Sequence, residues 1–300
     1  APTPAPAPPA SPPGKVKAAA GQIQARGAIC MAVKDIGKKI KKLRETATQI
    51  AKLFTEYKII VVESNSRDNS VAVLKQWRAQ APKDSVHLML MPSEKQSLAY
   101  WRNVYLKEVL AAQPAYDYMV VMDGDMLFYD IEGVRHTMLH TGDIFWGVMT
   151  ANGQRFKDHC YYDIFAFRNF QWSWSPETGD SFPFGRKPKQ MFEVRIGKEW
   201  PPMRVQSGFG GVGVYKTQYL HGCEYCEFNC HRSAGKRRTR VCEHVPFHDC
   251  ITRKNGGPVY MNPKMVTWWH KDCANCAPHC ACAPLFTNGT KGSGEMILEL

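Results

Sequence analysis

Two aspartates one residue apart, Asp123 and Asp125, flank Gly124 at the end of the apolar run Tyr118-Met119-Val120-Val121-Met122. That run is too short for a core helix and carries β-formers at its centre, so it reads as a buried parallel strand. Two carboxylates at a strand's C-terminal end are costly to hold together unless something positive sits between them. A divalent cation carrying a diphosphate meets that need, because hard Mg²⁺ or Mn²⁺ prefers carboxylate and phosphate oxygens. Gly124 is expected to let the backbone turn tightly between the two. The alternative is an acidic strand-to-loop turn with no ligand.

The cysteines carry a second chemistry. Of eleven, all but Cys30 and Cys160 lie beyond residue 200. Such density points to disulfides in an oxidising compartment. The spacings Cys223-x-x-Cys226 and Cys273-x-x-Cys276 also allow, as the second reading, a structural Zn²⁺ held by thiolates. Asn288-Gly289-Thr290 is a glycosylation sequon, consistent with secretion. The formal charge of +12 suits a polyanionic partner. Its two basic runs, Lys38–Lys42 and Lys236–Arg240, lack interleaved aromatics, so each reads as a solvated face and nucleic acid is not expected as a partner.

These groups need a frame. With 44% hydrophobic and 11% aromatic residues, the 300-residue chain can bury one large core. Ala1–Pro13 is nearly all Ala and Pro, a polyproline-type spacer or stem leading to a missing membrane anchor or another domain. The chain starts without Met, as a processed or truncated product would, and shows no signal peptide or membrane-spanning run. Strands are expected at residues 27–33, 58–62, 86–90 and 118–122. Helices are expected at 34–57, 71–80, where Asn69 or Ser70 would cap, and 97–112. This alternation argues for an α/β fold, a mostly parallel sheet flanked by helices that binds ligands beyond its strand C-terminal ends. Further strands are expected at 144–149, after the glycine-rich turn Gly208-Phe209-Gly210-Gly211, and at 258–268.

Together these pieces resemble the GT-A superfamily of nucleotide-sugar-dependent glycosyltransferases, over roughly residues 27–270. The resemblance implies a Rossmann-like catalytic domain with a nucleotide-binding half (27–130) and an acceptor half (131–270). A linker or stem (1–26) precedes it and a Cys-rich tail (271–300) follows. Val61-Val62-Glu63-Ser64-Asn65-Ser66-Arg67-Asp68 looks like the family's nucleoside turn: Glu63 and Ser64 would meet the base or ribose, and Asp68 would order the loop. Tyr100-Trp101-Arg102-Asn103 looks like its Arg-Asn helix, with Arg102 suited to phosphate. Asp125 would ligate Mn²⁺ or Mg²⁺ directly. Asp123 would reach the ribose, or the metal through water, and His270 would be a third ligand. Gly210 and Gly211 would let backbone approach the donor sugar.

Cys242-Glu243-His244 looks like the family's acidic "x-Glu-Asp" helix, with His244 where Asp is usual. The resemblance therefore implies a catalytic base at Glu243 or His244, with His248 and Asp249 as neighbouring alternatives. Asp163, beside Tyr162, and the loop of Trp172 and Trp174 would bind a glycan or glycoprotein acceptor, since sugars offer hydroxyls to carboxylates and apolar faces to aromatics. Glu63-Ser64-Asn65-Ser66, Trp101-Arg102-Asn103 and residues 161–168 are also similar to the fungal capsule-associated mannosyltransferases, which implies a GDP-linked donor and retention. A UDP-linked donor is equally compatible with the superfamily. A secretory, Golgi-like lumen is expected, with the cytoplasm as alternative. Two other readings stay open, a sugar nucleotidyltransferase and a Cys-stapled carbohydrate-binding module.

Overall fold

The computed structural model describes residues 22–91, 96–139, 141–169, 194–227 and 241–269, and the short strand 283–284. In chain order the elements begin β1 (Ile23–Val33), α1 (Ile40–Ala51), β2 (Phe54–Ser64), α2 (Ser70–Gln80), β3 (Val86–Met91), α3 (Leu98–Ala111) and β4 (Tyr118–Met122). They continue with β5 (Phe128–Tyr129), α4 (Ile131–Leu139), β6 (Val148–Arg155), β7 (Val194–Arg195), β8 (Met203–Val205) and β9 (Val212–Lys216). Helix α5 (His244–Asn255), β10 (Val259–Trp269) and β11 (Ala283–Pro284) follow.

Nine strands form one sheet in the order β3-β2-β1-β4-β9-β6-β10-β5, with β8 beside β10. Strands β1, β2, β3, β4, β6 and β10 run one way, and β5, β8 and β9 run against them. The expected α/β class, a mostly parallel sheet flanked by helices, is therefore what the chain adopts. β7 and β11 pair separately.

The central strands bury both faces and alternate between two cores, as a two-residue period requires. Ala28, Cys30, Ile60, Val62, Met119 and Val121 pack with α3 and α5 on one side. Ile29, Met31, Ile59, Val61, Val120 and Met122 pack with α1 on the other. Helix α1 turns Ile40, Leu43, Ala47 and Ile50 inward, the apolar stripe its sequence spells.

Several boundaries differ from expectation. The helix expected over 34–57 is confined to α1. Before it, Asp35 sits at φ 50, and Ser66 Oγ accepts from its N–H at 2.8 Å. After it, Phe54 already pairs with Ile23 as β2 begins. Asn69 makes no side-chain cap on α2; Asp68 Oδ1 accepts from Ser70 N–H at 2.9 Å instead. The strand expected at 144–149 lies at β6, whose polar end stays buried because Asn152 Nδ2 donates to the Ile196 carbonyl at 2.9 Å. Helix α4 was not anticipated.

Zinc at Cys223-x-x-Cys226 is excluded. Cys223 is bonded to Cys250, and Cys226 and Cys160 are also in disulfides. A thiol in a disulfide has no thiolate to offer a metal. Cys30 and Cys242 are buried free thiols. Cys273, Cys276, the sequon, His270, Trp172, Trp174 and the 236–240 basic run lie outside the described residues. Among the described residues no helix is long and apolar enough to cross a membrane.

Candidate functional site

The site gathers where β1, β2 and β4 end. The loops after β1 and β2 are laced together. Asp35 Oδ1 accepts from Arg67 N–H at 2.6 Å, Asp68 Oδ2 from Gly37 N–H at 2.8 Å, and Ser70 Oγ from Ile36 N–H at 2.9 Å. Asp68 thus orders this loop, and its hydrogen bonds from Ser70 hold its carboxyl below the usual range. Glu63 is only 2% exposed; its Oε1 accepts from Ser66 N–H at 2.6 Å. Ser64 Oγ donates to the Val33 carbonyl at 3.2 Å. Both side chains serve the loop's own backbone.

Gly124 has no left-handed φ. A Cβ there would lie 3.0 Å from Val33 Cγ1, a tight contact to which that side chain would have to yield. Lys39 Nζ donates to the Asp125 carbonyl at 3.0 Å, and Lys42 Nζ to that of Leu127. Part of the basic run read as a solvated face therefore clamps the acidic turn. On the far side, Asp123 N–H donates to the Gly211 carbonyl at 2.9 Å. Gly210, at φ +62, donates its N–H to Asp163 Oδ2 at 2.8 Å. A Cβ there would meet the Ala151 carbonyl at 2.4 Å, so close backbone approach demands glycine.

Arg102 lies at the centre, 2% exposed. Its Nη2 donates to Asp123 Oδ1 at 2.9 Å, its Nε to Glu243 Oε1 at 2.8 Å, and its Nη1 to Tyr105 Oη at 3.1 Å. Its guanidinium also lies 5.0 Å from the Phe209 ring centre. Burial alone would lower its pKa, but Tyr105, Glu243 and Asp123 outweigh that and raise it. Arg102, expected beside the nucleotide, lines the cleft and gives each of its three nitrogens one bond to the protein. Asn103 pins the neighbouring loop through paired bonds to the Tyr225 backbone, 2.8 and 2.9 Å long.

A cleft of about 270 Å³ opens here, lined by Arg102, Asp123, Tyr162, Asp163, Glu243 and His244 among others. Burial pushes Asp123 up to about 7 against the pull of Arg102, with Asp125 and Glu243 adding to the rise. With 31% of its side chain open to the cleft, solvent softens that rise. Burial pushes Asp163 up to about 6, opposed by N–H bonds from Gly210 and Ala166. Tyr162 stacks on Trp269 with ring centres 4.9 Å apart. Cys242 and Phe165, from the segments matched above, also line the cleft, as do Glu227 and Leu98, which belong to no recognisable motif, so spacing gave no signal for those two.

The four candidate bases separate. Asp249 pairs with Arg253 at 2.6 Å, with 80% of the arginine side chain exposed, and does not line the cleft. His248 is fully buried, with Nδ1 3.1 Å from Ser207 Oγ and Nε2 3.1 Å from Tyr215 Oη, and burial pushes it down to about 3. Glu243 and His244 reach the cleft. His244 is held well below its usual pKa by burial, then by Arg102 and His248.

Asp123 and Asp125 form the only part of the expected metal set that is described. No group of three or more His, Cys, Asp and Glu converges among the described residues. The donor chemistry nonetheless fits a hard cation. The Asp125 carboxylate is exposed and makes no hydrogen bond or ion pair among the described residues, and Asp123 commits only Oδ1.

No protein-family model and no curated protein matches the chain. Solved structures share its fold. A mannosyltransferase from Pyrobaculum calidifontis in complex with GDP-Man and Mn²⁺ is 12% identical, covers 82% of this chain and 56% of its own, and superposes with a TM-score of 0.51. S. aureus TarS is 13% identical over 82% of this chain and 37% of its own, with a TM-score of 0.51. TarS 1–349 in complex with UDP-GlcNAc is 12% identical over 86% and 61%, with a TM-score of 0.50. The chain spans less than two thirds of each of these. At such identities the likeness is one of fold: this chain has the GT-A, Rossmann-like architecture.

Proposed function

We propose that this chain is a glycosyltransferase that moves a sugar from a nucleoside-diphosphate sugar to a hydroxyl of a glycan or glycoprotein. The observation that carries the reading is the Arg102 bridge, which sets the exposed Asp123–Asp125 turn and Glu243 at one cleft. The fold shared with nucleotide-sugar enzymes supports it. Asp125 and Asp123 would hold Mn²⁺ or Mg²⁺, which when bound supplies charge neutralisation for the departing diphosphate.

The chain's own residues do the rest. Arg102 engages Oε1 of Glu243, leaving Oε2 to accept a proton from the acceptor hydroxyl. That oxygen bonds to the anomeric carbon as the bond to the diphosphate breaks, the proton passing to Glu243. A base in this role favours inversion, whereas the similarity to the fungal capsule-associated mannosyltransferases favours a GDP-linked donor and retention. The anomeric configuration of the product decides between them. Tyr162 stacked on Trp269, with Phe165 at the rim, suits a sugar ring face. The disulfides favour an oxidising, secretory lumen.

A thermal-shift screen of UDP- and GDP-sugars with and without Mn²⁺ tests the donor, since a ligand of the folded state raises the midpoint. Asp125→Ala is expected to abolish metal-dependent donor turnover, and wild-type turnover in that variant would end the assignment. A carbohydrate-binding module would instead bind glycan without nucleotide or metal.

A further inference from the structure

Behind Glu243 runs a closed chain of polar groups. Ser207 Oγ lies 3.1 Å from His248 Nδ1; His248 Nε2 lies 3.1 Å from Tyr215 Oη; Tyr215 Oη lies 3.3 Å from His244 Nδ1. Ser207, Tyr215, His244 and His248 are each at most 1% exposed. The chain ends at His244 Nε2, buried and, among the described residues, without a hydrogen-bond partner, 3.7 Å from Glu243 Oε1.

The Tyr215 hydroxyl has one proton and two lone pairs, so it either donates that proton to His244 Nδ1 or accepts from it. In one direction Ser207 donates to His248 Nδ1, His248 Nε2–H donates to Tyr215, and Tyr215 donates to His244 Nδ1. The His244 proton is then on Nε2. In the other direction Nε2 is a bare lone pair facing a carboxylate. The carboxylate favours the first arrangement, because an N–H pointed at an anion is attractive and a lone pair repulsive. An orphan donor this deeply buried is costly unless a ligand takes it.

We propose that Ser207, His248 and Tyr215 lock the His244 proton on Nε2, making His244 a fixed donor that, with Oε2 of Glu243, grips one substrate hydroxyl. The hydroxyl oxygen accepts from His244 and its hydrogen points to Glu243 Oε2, which among the described residues meets the Cys242 thiol alone, at 3.8 Å. Only a group that both donates and accepts satisfies such a pair. His244 therefore orients the attacking hydroxyl and does not deprotonate it. Burial lowers the His244 pKa, and Arg102 from α3 and His248 from its own helix lower it further. Tyr215 from β9 meets Nδ1, the rings of Phe209, stacked at 3.9 Å, and Tyr225, edge-on at 5.4 Å, shut out water, and Glu243, 3.7 Å from Nε2, is the anion on the other side. The identity of the hydroxyl rests on the proposed transferase reading; the proton direction does not.

Nitrogen NMR of the folded, ¹⁵N-histidine-labelled protein tests the direction. Both rings are expected as neutral Nε2–H tautomers from about pH 5.5 to 8.5. Tyr215→Phe, which keeps the ring and deletes the link, is expected to turn His244 into a tautomer mixture. An Nδ1–H signal from His244, or its titration in that range, overturns the proposal. Kinetics test the hydroxyl. His244→Gln, which retains a donor, is expected to exceed His244→Phe by about ten-fold or more in kcat/KM for the acceptor, as one hydrogen bond allows, with KM for the nucleotide sugar unmoved. Equal acceptor kinetics in the two variants overturn the role. Absence of any transfer by the wild-type chain would refute the transferase reading while the NMR result still decides the proton direction.

Discussion

Replacing Arg102 by Met tests the centre of the site most directly. Met fills much of the same volume but removes the cation shared by two carboxylates. The Arg102 side chain is 3% exposed, that of Glu243 11% and that of Asp123 31%. Breaking a buried pair by deleting one partner costs about 3–5 kcal/mol, because the remaining charge stays desolvated. Asp123 is partly solvated and contributes the smaller share, so about 3 kcal/mol at pH 7.5 is expected, a fall of roughly 6–12 °C in melting temperature for a chain of this size. The loss has a sign in pH. Burial raises Asp123 to about 7 even against the pull of Arg102, and without that pull its folded-state pKa rises further above the unfolded value near about 4. The variant then binds more protons folded than unfolded between those values, so its stability falls as pH rises through that window. Denaturant unfolding at pH 5 and pH 7.5 measures this: Arg102→Met should lose more at pH 7.5, and Arg102→Lys should fall between Met and wild type. A deficit below about 1 kcal/mol, or one equal at both pH values, would refute the bridge as a buried, charge-compensating element.

Asp163 carries its own pH signature. Burial raises it to about 6, so its contribution to stability is greatest below the unfolded value near about 4 and is lost as pH rises toward 6. Asp163→Asn, which keeps a carbonyl for the Gly210 N–H, should flatten the stability slope across that window in unfolding titrations. Gly210→Ala should destabilise by about 2 kcal/mol or more, since it adds a left-handed φ penalty to a clash with backbone. Gly211→Ala, facing only the flexible Met126 side chain, should cost less, and calorimetric melting of the pair orders them. Opening the Cys223–Cys250 bridge by Cys223→Ser should cost about 3–4 kcal/mol, because it closes a loop of 27 residues; a denaturation midpoint unchanged from wild type would contradict this.

The repeating strand and helix units up to β4 were readable because local pattern and burial agree there. Apolar runs bounded by turn residues could be only strands, and the Asp123-Gly124-Asp125 turn falls at a strand's end by its own sequence. The failures share a cause, which is distant partners. Lys39 and Lys42 are solvent-exposed as read, but nothing near them in sequence shows that the turn after β4 brings the Asp125 and Leu127 carbonyls to them. Asn152 and its neighbours look like a loop until Ile196 and Pro263 satisfy the amide. At Cys223-x-x-Cys226 both disulfide and zinc are open in sequence, and only Cys250 from α5, 27 residues on, settles it for the expected disulfide. Nothing near Arg102 in sequence reveals Glu243 and Asp123 as its partners.

The separation of Arg102 from Glu243 bears on how the chain is made. The two lie 141 residues apart, and ribosomes add roughly 5–20 residues per second, so the guanidinium waits on the order of 7–30 seconds for its second anion. Strand β9 arrives late as well, so the edge of β4 that it covers stays bare over much of that interval. The nascent chain thus passes through a stage with a half-built sheet, an unpaired strand edge and a half-neutralised cation, the species that a lumenal or cytosolic holdase would be positioned to shield.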